Sequence, residues 1–462
     1  MKHKYNMLSR RVFGFSIMGL GLASHFGKAF GDNAPPPAPI PKAALPKANP
    51  EKAAKKTGPR ILCYVGGYTR SGPAESNATG ITLFEMNQQS GILTQLGHVI
   101  PADNPSFLAF SPDQNSLYTV NEISDFEGGH TGSVTAFQVN RRTGVLTKLN
   151  VMSSGGADPA HLSVHPSGKY LFIANYTGGS AAVMRIQDDG SLGLLTDLVH
   201  NTGPKMPERA ADNPPGNYAV SDHSGSHVHM IQADVNGKFV LACDAGLDRV
   251  YVWLFDMESG TLKPAEKPWL SMEPGSAPRH FCFSHDGKVI YILGEQDSRV
   301  VVADYDAKTG AMQVKQTAST VTAQFRGSTL AAEIILHPTG KFLYVTNRLG
   351  NAIACFKVHE DGSITLFDEV WVHADYGRAL SFDPSGKFVF VANQRSDCIT
   401  SLRVNTETGA LDFTWHFVPI VRGQTEWNQQ VRRDCVGPAG ITWDENSRET
   451  AGVDIIGGWW LL

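Results

Sequence analysis

The chain has 462 residues and a formal net charge of −4, unevenly spread: residues 1–60 hold eleven Lys or Arg against two acids, leaving the remainder near −13. An acidic body of this kind excludes nucleic acid as a partner. Six cysteines (Cys63, Cys243, Cys282, Cys355, Cys398, Cys435) stand mostly in apolar runs with no CxxC pair, so they read as buried free thiols rather than as zinc ligands or a disulfide framework.

Residues 1–33 read as an export signal. Ser9-Arg10-Arg11-Val12-Phe13 resembles the twin-arginine motif and precedes the Gly-rich apolar stretch Val12 to Gly27, which is too short for a stable membrane span. The alternative is an ordinary secretory signal with two basic residues, and either reading sends the product to the periplasm or outside the cell. Residues 34–59 form a Pro/Ala/Lys-rich linker without an apolar pattern, expected to be disordered. The folded part is expected over 60–447, followed by an irregular tail over 448–462.

Within 60–447 one turn signal recurs seven times, ending at Gly91, Gly144, Gly190, Gly260, Gly310, Gly362 and Gly409, at gaps of 53, 46, 70, 50, 52 and 47 residues. A second repeat precedes each of the last six: a short apolar run, a turn such as HPSGK, and a longer strand, as in LSVHPSGKYLFIAN from Leu162 and LSFDPSGKFVFVAN from Leu380. Four strands per unit at a period near fifty predict an all-β, seven-bladed β-propeller of four-stranded antiparallel blades. Six units are complete: Ser106–Leu149, Ala160–Leu195, His229–Leu262, Arg279–Met312, Ala332–Leu366 and Arg378–Leu411. The seventh is split, with Ile61–Tyr68 and Gly80–Leu96 joined by Ala439–Asp444, so that N- and C-terminal strands close the ring and leave no open edge. Two connections exceed the repeat, Asp197–Ser226 and Gln313–Leu330 with Arg326, and both are expected to wall one face.

Aligning the blades gives two columns around the central opening. The entrance of the innermost strand reads Ser106, Ala160, His229, Arg279, Ala332, Arg378, followed by Phe107, His161, Met230, His280, Glu333, Ala379. The exit of the returning strand reads Glu122, Tyr176, Ala245, Glu295, Arg348, Gln394, preceded in four blades by Asn. The repeated Asn suits a structural turn cap, and His161 or His280 suits a satisfied core histidine. The repeat has no structural need for His229, Arg279, Glu295, Arg348 and Arg378 around one opening, and charged groups gathered in a concave site are candidates for chemistry. No GxSxG, HExxH, P-loop or GxGxxG is present. His227 and His229 alternate along a strand, yet no third ligand has metal-site spacing. Neither metal nor cofactor is expected.

Several of these segments together resemble the seven-bladed propeller lactonase family, which includes propeller-type 6-phosphogluconolactonases and is related to carboxymuconate lactonizing enzymes. The resemblance spans about 60–445 and rests on HVH (227–229), GSAPRH (275–280) with GE at 294–295, AEI (332–334) with TNR (346–348), and GRALSFDPSGKFVFVANQ (377–394). It implies lactone ring opening in the central pocket, with His229, Arg279 and Glu295 catalytic and Arg348, Arg378, His227, His280 and Gln394 binding a small-molecule lactone. Glu295 or His229 is the expected general base, and the arginines stabilise the oxyanion. The rival readings are a carboxymuconate-type lactonizing isomerase using the same residues and a non-catalytic exported binding propeller. The identity of the lactone, its phosphorylation and the oligomeric state are left open by the sequence.

Overall fold

The computed structural model describes residues 60–69, 78–420 and the strand 438–445. The export signal (1–33), the linker (34–59), the tail (448–462) and Cys435 lie outside the described residues. Seven four-stranded antiparallel sheets are present. The innermost strands of blades one to six are Leu108–Phe110, Pro159–Val164, Val228–Ala233, Pro278–Phe283, Leu330–Leu336 and Gly377–Phe382. Each packs against its neighbours in a closed ring. In the seventh blade Pro438–Glu445 is the innermost strand and pairs antiparallel with Ile61–Gly67, from Ile61 opposite Glu445 to Gly67 opposite Pro438. The ring is therefore closed by hydrogen bonds between an N-terminal and a C-terminal strand, as the split repeat predicts.

The core lies between blades. Each of seven apolar clusters joins side chains of two adjacent sheets; one sets Phe84 and Met86 against Phe388 and Phe390 across the closure, and another sets Phe281 and Ile290 against Leu241 and Val252. The turn glycines belong to this packing. Gly409 has φ +77°, and a Cβ there would collide with the ring of Phe342 one blade back, so the position requires glycine on both conformational and steric grounds. Its carbonyl accepts the Tyr344 hydroxyl at 2.8 Å. Tyr64, Tyr118 and Tyr291 make the equivalent bond to Gly144, Gly190 and Gly362. Cys63, Cys243, Cys282, Cys355 and Cys398 are buried and unbridged.

Both long connections begin later than the sequence suggests. Asp197 to His200 still pairs with Val183 to Ser180 in the strand Leu192–His200, and Gln313 to Ser319 pairs with Asp304 to Arg299 in Ala311–Ser319. Each outermost strand is half-exposed and broken by a register shift, which erases the two-residue alternation that marks a strand. The true excursions are 201–227 and 320–329.

Candidate active site

A β-bulge recurs at the entrance of the innermost strand. In blade three Val228 faces Asp244 while Met230 faces Cys243, so His229 is the extra residue. Arg279 holds the same place between Pro278 and His280, Arg378 between Gly377 and Ala379, and Ala160 between Pro159 and His161. Ala439 does so in the closing blade, and the shift in blade five spans Ala332 and Glu333. A bulged residue leaves the pairing ladder and its side chain is re-aimed. This backbone device sets His229, Arg279 and Arg378 apart from the strand alternation.

The turns leading into these bulges are held by the preceding blade. Asp248, itself at φ 50°, accepts the backbone N–H of Gly275 at 2.6 Å and of Ala277 at 2.8 Å, which steadies Ala277 at φ 53° two residues before Arg279. Asn351 likewise accepts the Tyr376 N–H at 2.8 Å two residues before Arg378. In blade three the usual Asn is Asp244, because its neighbours are donors. It accepts from Asn201 at 3.1 Å, Ser226 Oγ at 2.6 Å, and the His227 and Leu247 N–H groups at 2.9 and 3.2 Å. A carboxylate can accept all four where an amide would bring unwanted N–H donors. Both ends of the 201–227 loop are tied at this one side chain.

Glu295 organises the arginines. Its Oε2 lies 2.7 Å from Arg348 Nη2 and 3.1 Å from Arg279 Nε, and its Oε1 accepts Ser221 Oγ at 3.0 Å. Burial pushes the Glu295 carboxyl up, but the Arg348 and Arg279 charges, with the Arg348 and Ser221 hydrogen bonds, outweigh it and bring it down to about 2. Arg348 also donates to the Ala331 carbonyl at 3.1 Å, and Arg279 Nη1 donates to the Ala332 carbonyl. Burial and the nearby Arg378 and Arg348 charges lower Arg279 from its ordinary value. Arg378 stands over the Tyr68 ring at 5.9 Å. Burial works against its charge, but Tyr68, Glu122, Tyr376 and Glu295 together favour it.

Beside the arginines, His229 Nδ1 is 3.2 Å from His280 Nε2, and His280 Nδ1 is 2.8 Å from Glu333 Oε1. Burial, then the charges of Arg279 and neighbouring groups, hold both histidines well below the usual histidine range, so both are neutral near pH 7. His227 is occupied otherwise. Its ring stacks on Tyr176 at 4.7 Å, and its nitrogens meet Tyr176 O at 3.1 Å, Ser224 Oγ at 3.2 Å and Asp222 at 3.3 Å. Gln394 has a buried Oε1 with no hydrogen bond among the described residues.

The structure thus brings Arg279, Glu295, Arg348, His229 and His280 into one contact network. Sequence reasoning missed Ser221 and passed over Glu333. Glu333 carried a signal, since it follows the entrance column in blade five as His280 does in blade four. Ser221 carried none, because an irregular loop places it. That loop packs on the second one: Asn217 donates to Thr329 O at 3.1 Å and Gln296 O at 3.2 Å, and Gly327 N–H donates to Pro215 O at 3.2 Å. Arg326 is exposed and donates to the Ala323 and Phe325 carbonyls of its own loop. Among the described residues no group of three His, Cys, Asp or Glu side chains is arranged to hold a metal ion.

Comparison with known proteins gives the family. The profile of the family described as "Lactonase, 7-bladed beta-propeller" matches residues 62–423. A 6-phosphogluconolactonase of Bacillus subtilis is 28% identical over 325 residues, 70% of this chain and 85% of its own. One from Formosa agariphila is 29% identical over 352 residues, 75% and 94% respectively. The solved periplasmic gluconolactonase of Pseudomonas aeruginosa matches with a TM-score of 0.71 at 26% identity, covering 84% of this chain and 99% of that one. The chain belongs to the seven-bladed β-propeller lactonase family.

Proposed function

We propose that this protein hydrolyses a sugar lactone at the site formed by His229, Arg279 and Glu295, without a covalent enzyme nucleophile. The observation that carries the reading is the pairing of two guanidiniums on one Glu295 oxygen beside a neutral, buried His229. Of the two candidate bases, Glu295 is unsuited: a carboxylate held at about 2 has little affinity for a proton, and both its oxygens are engaged. His229 takes the proton of water as the oxygen adds to the lactone carbonyl. Negative charge then grows on the carbonyl oxygen, where guanidinium donors stabilise it. The ring C–O bond breaks and the departing alkoxide recovers the proton from the imidazolium, leaving an open-chain hydroxy acid. Glu295 keeps Arg279 and Arg348 fixed, and Arg378, which has no carboxylate at ion-pair distance among the described residues, binds an anionic group of the substrate.

The protein acts outside the cytoplasm, in the periplasm or beyond. The arginine pair and apolar stretch of residues 1–33 support this, as does the likeness to a periplasmic gluconolactonase. An exported enzyme of this kind takes an unphosphorylated lactone, and the anionic group that Arg378 binds is then a carboxylate. Hydrolysis of a panel of sugar lactones with and without phosphate, alongside a muconate, tests the proposal. Turnover of an unphosphorylated sugar lactone is expected. Cyclisation of the muconate with no lactone hydrolysis would establish the isomerase instead.

A further inference from the structure

We infer that Glu333 and His280 are positioning residues that lock His229 in the tautomer with its proton on Nδ1, leaving Nε2 as the base. The inference rests on the hydrolytic reading above and assigns it one atom. The chain of contacts crosses three blades: Glu333 of blade five, His280 of blade four, His229 of blade three.

Proton positions follow from which partners can only donate or only accept. A guanidinium has donors and no acceptor. Arg279 Nη1 lies 3.4 Å from His280 Nε2, so that nitrogen presents its lone pair. The proton of neutral His280 is therefore on Nδ1, where it donates to Glu333 Oε1 at 2.8 Å. The other end agrees, because Glu333 Oε1 already accepts the Ile334 N–H at 3.1 Å and acts as an acceptor. His229 Nδ1 lies 3.2 Å from the same His280 Nε2. Two lone pairs do not face each other at that distance, so His229 Nδ1 carries its proton and Nε2 does not. Among the described residues no protein group hydrogen-bonds to His229 Nε2, which leaves it available to a water.

The arrangement extends the logic of a carboxylate behind a catalytic histidine by one imidazole. When Nε2 takes a proton, the positive charge on His229 is shared toward Glu333 through two hydrogen bonds. That compensation is needed here. The groups facing His229 are Arg279, His280, Arg378, Arg348 and the Tyr176 ring, and the three arginines all oppose a cation. His280 itself is confined by Phe107 and His161, whose rings stand 6.4 and 5.6 Å away. With both its nitrogens used inside the protein, His280 acts through His229 and does not contact substrate.

Two measurements on the full-length protein test this. In 15N NMR of labelled imidazoles, the proposal expects His229 with Nδ1 protonated and Nε2 bare near pH 7; a proton on Nε2 overturns it whether or not any lactone is turned over. In steady-state kinetics, Glu333→Gln keeps an acceptor for His280 but removes the charge. The expected result is a kcat lower by about 10- to 100-fold, by analogy with the outer partners that orient metal-bound histidines, with KM unchanged and the acid limb of kcat/KM moved to lower pH. Glu333→Asp should recover part of the rate. A Glu333→Gln protein that is folded and has wild-type kcat and pH profile overturns the proposal. A correct tautomer in a protein that opens no lactone would leave the relay standing and sink the hydrolase reading instead.

Discussion

Blades two, five and seven carry Ala160, Ala332 and Ala439 at the entrance bulge, while blades three, four and six carry His229, Arg279 and Arg378. The backbone irregularity is common to both sets, so it belongs to the fold. Three of the six bulges have alanine at the position that holds His229, Arg279 or Arg378 in the others. The imidazole and the two guanidiniums are therefore unnecessary for folding, and their burial works against their charge. A bulge that first serves ring geometry becomes a place from which polar groups can leave the ladder and meet.

This contrast can be broken most sharply at His229. His229→Ala should lower kcat by about 10²–10⁴-fold, the usual contribution of a general base, while the melting temperature stays near that of the unmutated protein. Arg378→Ala should act on KM instead, raising it by about 10- to 100-fold for a lactone bearing an anionic group, as expected for a lost charge-assisted hydrogen bond, with little change for an uncharged lactone.

The pH profile separates the two carboxylate and histidine roles. Glu295 has a folded value lowered to about 2 from 4.5, so its contribution to stability is complete above 4.5 and is lost as pH falls toward 2. Urea unfolding of the unmutated protein and Glu295→Gln should therefore differ most near neutrality and converge in that acid window. The acid limb of kcat/KM should fall below 6.5, where lowered His229 titrates. The smallest effect is expected far from the site. Tyr344→Phe removes the hydroxyl bonded to Gly409 O and should cost about 1 kcal/mol of unfolding free energy, with unchanged turnover.

The repeat made the architecture and the two charged columns readable, because equivalent positions could be compared blade by blade. Arg279, Glu295 and Arg348 stood out as charges in columns where most other blades have Ser, Ala, Tyr or Gln, with Glu122 the further charge in the exit column. The bulge was invisible, since an extra residue leaves no mark in a single strand's composition. Bulges also hid the outer-strand segments Asp197–His200 and Gln313–Ser319, whose alternation they interrupt. The roles of His227 and His280 could not be read from their columns either. One is stacked on Tyr176 and the other is held between His229 and Glu333, and both placements depend on contacts between blades.

The most direct test is the triple variant His229→Ala, Arg279→Ala, Arg378→Ala, which puts alanine at all six entrance bulges. Its far-ultraviolet circular dichroism, melting temperature and sugar-lactone turnover should be measured together against the unmutated protein. The account predicts a folded all-β protein that opens no lactone above the uncatalysed rate. Retained turnover, or a chain that no longer folds, would contradict it.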